Sequence, residues 1–268
     1  MFSRKSVSFF NECEIKSNIN KQLSICKIIK YYKSLSSTQT TVKRLARKGF
    51  KEGTVVIAEQ QTNSYGRIKR KWDSRSGGLW FSVLLRPLMR LEEVSRISLL
   101  LSIALSITLE KNYKVDSEIK WPNDVLVFGK KIAGIIIEIS AEQDLVNWVA
   151  VGIGINISND LPKNLEDTAI ALKTILKRGI NKTEFFAALL INFENLYLDF
   201  QKNGFKQFFK IYNSKIAYKN RYVNVNSGYN SIIGVNLGVD EKGKLIVKTH
   251  DGFEHIVSGT LRINNEKN

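Results

Sequence analysis

Two spacings of apolar residues recur along the chain, and the switches between them divide it. In SLSSTQTTVKRLARKGF (34–50), Val42, Leu45 and Ala46 fall at helical spacing behind a Ser/Thr start, with basic residues late and Gly49 as a stop; this predicts a capped amphipathic helix. GTVVIAEQQT (53–62) and GLWFSVLLRP (78–87) are apolar runs of strand length, the second closed by Pro87. Residues 91–111 predict a long core helix with Ser98, Ser102 and Ser106 on one close-packed stripe. EIKW (118–121) and VLVF (125–128) predict short strands around a Pro122-Asn123-Asp124 turn. IAGIIIEIS (132–140) and WVAVGIGINI (148–157) are β-branched runs joined by an AEQD turn, hence an antiparallel pair.

Helices are expected over 165–178 and 182–202, the second rich in Phe and Leu. Near 218 the pattern changes to short alternating strands broken by Gly and Asn, which predicts a small barrel. Residues 1–28 carry no sustained period and read as a loosely attached lead-in. The predicted architecture is α+β: a mixed or antiparallel sheet with flanking helices over 29–215, then a compact all-β module over 216–268.

Composition narrows the function classes. The 268 residues are 43% hydrophobic and 25% charged, ordinary values for a folded chain. The net charge of +16, from 41 Lys+Arg against 25 Asp+Glu, predicts an anionic partner without naming it. Cys13 and Cys26 lack metal-ligand spacing. His250 and His255 have no nucleophile motif beside them, so zinc and triad chemistry are both disfavoured. ISLLLSIALSITL (97–109) is too short to span a bilayer, and no targeting segment stands out; a soluble cytoplasmic protein is expected.

Four segments carry candidate chemistry. Ser37, Thr38 and Gln39 open a helix. QTNSYGRIKRKW (61–72) gathers Arg67, Lys69, Arg70 and Lys71 around Gly66, between Tyr65 and Trp72, at the end of a strand. Lys120-Trp121-Pro122-Asn123-Asp124 is a turn, with Lys131 at the start of the next strand. Gly152-Ile153-Gly154-Ile155-Asn156 ends another. Singly, each has a plain structural reading: a helix cap, a solvated hairpin, a Pro-Asn-Asp turn, glycines that allow close sheet packing.

Together, STQ, QTNSYGRIKRKW, KWPND, KIAGI and GIGIN, in that order, resemble the biotin–protein ligases, the biotin–[acetyl-CoA-carboxylase] ligase or holocarboxylase synthetase family. The resemblance runs over about 32–264 and ends in SGTLR, which is similar to the close of that family's SH3-like module. It implies a class II synthetase-like ligase fold and a two-step reaction. Biotin and Mg-ATP give biotinyl-5′-adenylate and pyrophosphate, and a lysine of a biotin carboxyl carrier domain then attacks the adenylate. The first step brings two anions together, and two like charges about 4 Å apart cost roughly 4 kcal/mol at an effective dielectric near 20. Cations must offset that cost.

By the same resemblance, Arg67, Asp124 and Lys131 are the catalytic candidates. Ser37, Thr38, Gln39, Gln61, Tyr65, Gly66, Arg67, Lys131, Gly152 and Gly154 would bind biotin, while Arg67, Arg70, Trp72, Lys120, Asn123, Lys131 and Asn156 would bind ATP, with Mg²⁺ on its phosphates. The chain departs from the family loop pattern Gly-Arg-Gly-Arg-x-Gly-Arg, having Ser64-Tyr65-Gly66-Arg67-Ile68-Lys69-Arg70. Two glycines and one arginine are lost. Four cations in five residues repel one another, so this loop is expected to gain order from an anion. Two other classes stay in view. A lipoate–protein ligase would be expected to lack KWPND and the C-terminal barrel, and a nucleic-acid-binding protein would use the +16 charge. The 36 residues before Ser37 are too few for a three-helix DNA-binding domain, so no specific DNA binding and no membrane association are expected, and a homodimer is left open.

Overall fold

The computed structural model describes residues 23–228 and 230–264. A strand that the sequence pattern did not reveal, β1 (Ile28–Leu35), comes first; helix α1 (Thr38–Arg47) crosses over, and β2 (Thr54–Gln61) returns parallel to β1. IIKYYKSL alternates poorly, with one residue buried and most of the rest partly exposed, as befits an edge strand. The remaining strands of the main sheet are β3 (Leu79–Leu85), β4 (Glu118–Lys120), β5 (Asp124–Val127), β6 (Lys130–Glu142) and β7 (Leu145–Ile155). Their order is β1-β2-β3-β7-β6-β5-β4, antiparallel throughout except for β1 and β2, so the sheet is mixed.

The two faces of this sheet differ, and that difference builds the site. Val149, Val151, Ile153 and Ile155 of β7 point to one side, into a core shared with α2 (Ser95–Tyr113) and α4 (Lys182–Asn203). Helix α2 is buried nearly all round, and Ser98, Ser102 and Ser106 are all buried, as the serine stripe predicts. On the opposite face, Ala150, Gly152 and Gly154 alternate with those branched residues. Helix α1 covers only part of that face, through Val42, Leu45 and Ala46 against Val56, Leu84 and Trp148. The uncovered remainder is the floor of a cleft.

Two expectations change. The helix expected over 165–178 is only one turn and a half, α3 (Leu172–Leu176), preceded by a 3-10 turn at Lys163–Leu165. The intervening segment pairs with the backbone of Lys131 instead, through Lys131 N–H to Thr168 O and Ile170 N–H to Lys131 O. The lead-in, expected to be loose to residue 28, is docked from Ser24 onward; residues 1–22 lie outside the described residues. The buried Glu194 carboxylate accepts from Ser24 N–H and Ile25 N–H, and Ile25 is fully buried.

After α5 (Phe209–Lys215), strands β8 (Tyr222–Asn226), β9 (Ser231–Val239), β10 (Leu245–Lys248), β11 (Phe253–Ile256) and β12 (Thr260–Ile263) form a second, antiparallel sheet in the order β11-β10-β9-β8-β12. Its tip at Gly243 packs on Leu99, and Trp121 Nε1–H reaches Gly243 O at 3.4 Å. The small module therefore leans on the KWPND turn. Among the described residues, no helix is long and apolar enough to cross a membrane.

Candidate active site

The uncovered sheet face, the N-terminal end of α1, the 61–72 hairpin, the KWPND turn and the β12 end of the small module enclose a cleft of about 560 Å³. All sixteen residues singled out from the sequence line it.

At one end the walls are neutral and mutually paired. Ser37 caps α1, accepting from Thr40 N–H. Thr38 N–H donates to Gln61 Oε1 (2.7 Å), and Gln61 Nε2 donates to Ser74 Oγ (2.9 Å). Gln39 Nε2 donates to Ala150 O (2.9 Å), while Ser82 Oγ lies 2.9 Å from Thr38 Oγ1 and 3.0 Å from Gln39 Oε1. Ser82 is fully buried; the sequence reading passed over it as a strand residue, although a lone serine inside LWFSVLL was the available signal. The floor beneath is flat because it is glycine. A Cβ at Gly152 would sit 2.6 Å from Gln39 Oε1, and one at Gly154 would sit 2.7 Å from Trp72 Nε1.

The other end is cationic. Lys131 Nζ forms an ion pair with Asp124 at 2.6 Å and lies 4.9 Å from the Trp72 ring centroid, above Gly134. Trp72 itself meets Trp80 edge-on, with centroids 6.4 Å apart. Arg67 Nη1 donates to Asn123 Oδ1 and to Gly259 O, both at 3.0 Å, so the loop bridges to the KWPND turn and to the SGTLR segment at once. Burial works to lower the Arg67 guanidinium below its ordinary value, with nearby Asp124 opposing. Lys120, 5.9 Å from the Tyr218 ring centroid, is likewise lowered by burial and then, against the pull of Asp124, by the charges of Lys131, Arg262 and Arg70. Among the described residues, six cationic side chains line the cleft (Arg67, Arg70, Lys71, Lys120, Lys131 and Arg262) against three carboxylates, Asp73, Asp124 and Asp167. Such a surplus suits a polyanion. Asn156 is buried behind this end, with its Oδ1 accepting from Asn159 Nδ2 at 3.1 Å.

The hairpin has holds of its own besides any anion. Tyr65 bridges to Lys71, Gly66 N–H donates to Arg70 O (2.8 Å), and Ser64 Oγ donates to Trp72 O (2.8 Å). The Tyr65 hydroxyl, expected from the resemblance to face biotin, donates to Glu138 Oε2 at 2.9 Å. Its tip turns through Ile68 and Lys69 at φ 54 and 55, the left-handed region that glycine favours. Lys69 stands where the family pattern has one of its glycines. Among the described residues, no cluster of three or more His, Cys, Asp or Glu is arranged to hold a metal.

Comparison with known proteins gives this geometry its class. The biotin/lipoate A/B protein ligase family matches residues 31–156, which span β1 through β7. The bifunctional ligase/repressor BirA of Bacillus subtilis is 35% identical over 260 residues, covering 94% of this chain and 79% of that protein. The biotin–[acetyl-CoA-carboxylase] ligase of Paracoccus denitrificans is 26% identical over 226 residues, 82% of this chain and 94% of its own length. The structure of biotin protein ligase from Aquifex aeolicus in complex with biotin and ATP superimposes with a TM-score of 0.80 at 32% identity, covering 89% of this chain and all of that one. The chain thus belongs to the biotin/lipoate A/B protein ligases. Within them, it is a member of the biotin–protein ligase family.

Proposed function

We propose that this protein activates biotin with ATP and transfers it to a lysine of a carrier domain in a biotin-dependent carboxylase, and that the two ends of the cleft divide the work. The observation that carries the reading is the convergence of Arg67 and Lys131, from separate elements, on one cleft whose other end is neutral and pre-paired. The biotin head would occupy the neutral end. There the Thr38 hydroxyl, already beside Ser82, can offer its proton to the ureido oxygen, and the glycine floor at Gly152 leaves room for the fused rings. Gln61 and Gln39 are committed to Thr38, Ser74 and Ala150, so their contribution is to hold the pocket's shape.

The biotin carboxylate then points to the cationic end and attacks the α-phosphorus of ATP; an O–P bond forms and pyrophosphate leaves. Arg67 and Lys131 lower the repulsion between the two anions, with Arg70 and Lys120 on the remaining phosphates and Trp72 beside the nucleotide. Mg²⁺ supplies further charge when bound with ATP. A phosphate-held Mg²⁺ keeps most of its water and would ask an oxygen ligand or two of the protein, of which the Asn123 side-chain oxygen would be one. Drawing Lys131 to the new anion would free Asp124 to accept the proton of the incoming lysine amine, which attacks the acyl carbon and expels AMP.

On this reading, residues 29–215 are the catalytic unit and 216–268 an SH3-like module that closes the nucleotide end through Gly259. The test is ATP–pyrophosphate exchange with biotin or lipoate as the acid. Biotin-dependent exchange is expected, and exchange with lipoate alone would move the protein to the lipoate branch.

A further inference from the structure

Two of the three departures in the motif loop, Tyr65 and Lys69, meet at one carboxylate. Glu138, on β6 two residues beyond Ile136 of the cleft, accepts from the Tyr65 hydroxyl at 2.9 Å and from Lys43 Nζ at 2.6 Å. Lys43, from α1, also reaches the Tyr65 oxygen at 3.2 Å. Lys69 Nζ lies 4.1 Å from the Tyr65 ring centroid and 3.9 Å from Glu138 Oε1. Side-chain exposures of 18% for Lys43 and 24% for Glu138 leave this pair largely shielded from water, while Lys69 is 75% exposed.

We propose that Tyr65, Glu138 and Lys43 form a clasp that holds the 61–72 hairpin closed, and so positions Arg67 over the cleft. Tyr65 is two residues before Arg67, and on the far side Arg67 is tied to Asn123 and Gly259. The hairpin is therefore held at both banks: to α1 and β6 by the clasp, to the KWPND turn and the small module by Arg67. Glu138 supplies the negative charge that a loop with four cations lacks. Burial works to raise its carboxyl, but the hydrogen bonds from Lys43 and Tyr65 and the Lys43 charge outweigh it and hold the group below its ordinary value. Lys43 is the converse: burial works to lower it, and the same partners raise it. The clasp residues touch no reacting atom. They are positioning residues, and their effect on retention of an adenylate rests on the ligase reading given above.

The experiment has one readout that needs no substrate and one that does. Trypsin cleavage after Arg67, Lys69, Arg70 or Lys71 in the ligand-free protein reports opening of the hairpin. Tyr65→Phe and Glu138→Gln should each be cut about tenfold faster than wild type, the size expected when a charge-assisted hydrogen bond is lost from the closed state. The double variant should be cut no faster than the faster single, because the Tyr65–Glu138 bond that Tyr65→Phe removes is one that Glu138→Gln has already deprived of its charge. Lys43→Arg, which keeps the charge, should behave as wild type. Wild-type cleavage rates in the single variants, or effects that multiply in the double, would overturn the clasp. In parallel, labelling of a bystander lysine-rich protein is measured at equal biotin-dependent exchange, and Glu138→Gln should raise it. Faster cleavage without any biotin-dependent exchange would leave the clasp standing and remove the ligase reading. Normal exchange with unchanged cleavage and unchanged bystander labelling would remove the clasp alone.

Discussion

The two ends of the cleft are built on opposite principles. At the Gln39 end nearly every polar group is spent on another protein group: Gln61 on Thr38 and Ser74, Gln39 on Ala150, Ser82 on its two neighbours. Its shape is fixed before a ligand arrives, and glycine provides the space. At the Lys131 end, cations outnumber carboxylates, and burial lowers both Arg67 and Lys120. Asp124 offsets part of this charge through Lys131, and a bound anion would relieve the surplus that remains. A site of this kind spends its stability where charge develops during reaction and its rigidity where a neutral head must be recognised.

The largest effect should come from the charged end. On the proposed reading, Lys131→Ala would remove one of the two cations, Arg67 and Lys131, that face the forming carboxyl–phosphate bond, and about a 10²–10³-fold loss of biotin-dependent exchange is expected, the usual cost of one such group. The variant should stay folded, since the Lys131 side chain is 30% exposed and its ion pair with Asp124 lies at the cleft wall. Near-normal exchange in a folded variant would mean that the charge surplus is not what drives adenylation.

The neutral end should answer differently. Gly152→Ala adds a methyl 2.6 Å from Gln39 Oε1 and 2.9 Å from Ile136 Cγ2, so something in the pocket must shift. Overpacking of this kind costs about 1–3 kcal/mol, so the KM for biotin should rise roughly 5- to 150-fold while that for ATP changes little. Equal rises in both KM values would erase the distinction between the ends.

How much of this contrast was legible in the sequence depends on which side of a strand carried it. The cationic end was readable because its side chains lie in the linear motifs, at Arg67, Arg70, Lys120 and Lys131. The neutral end was only half readable. WVAVGIGINI reads as one continuous apolar run, yet it is a bulky–small alternation that buries Val149, Val151 and Ile153 against helices, sets Ala150 under α1 and turns Gly152 and Gly154 toward the cleft. Glu138 and Lys43 were missed for a different reason. Each is an unremarkable charged residue on a regular element, and only the pairing of α1 with the loop above β6 brings them to Tyr65. The edge strand β1 escaped because its pattern is mixed, and the segment at 165–171 read as helix although its backbone is claimed by Lys131.

A smaller effect tests whether the neutral end is indeed pre-paired. Gln61→Leu leaves Thr38 N–H and Ser74 Oγ without their Gln61 partner in partly buried surroundings, which costs about 1–3 kcal/mol. Urea denaturation should therefore show a lower midpoint even with saturating ATP present, because the loss falls away from the nucleotide. An unchanged midpoint would mean that water replaces Gln61 at no cost and that the pocket is not rigid before binding.

The smallest predicted effect concerns the tip that joins the two ends. Lys69 holds φ 55, where a side chain costs roughly 1–2 kcal/mol and glycine costs nothing, yet the lysine is retained over the Tyr65 ring. Comparing Lys69→Gly with wild type would mix relief of that strain with loss of the ring contact. Comparing Lys69→Gly with Lys69→Ala does not, since both lose the same side chain. Against the strain relief stands the greater freedom of glycine in the open loop, about 0.4–1 kcal/mol, so the glycine variant should be favoured by about 1 kcal/mol in the closed hairpin. Its loop should be cut by trypsin about fivefold more slowly than that of the alanine variant, at the Arg67, Arg70 and Lys71 positions both retain. Equal or reversed rates would show that the tip does not hold a left-handed turn in solution, and that the lost glycine had no conformational role there.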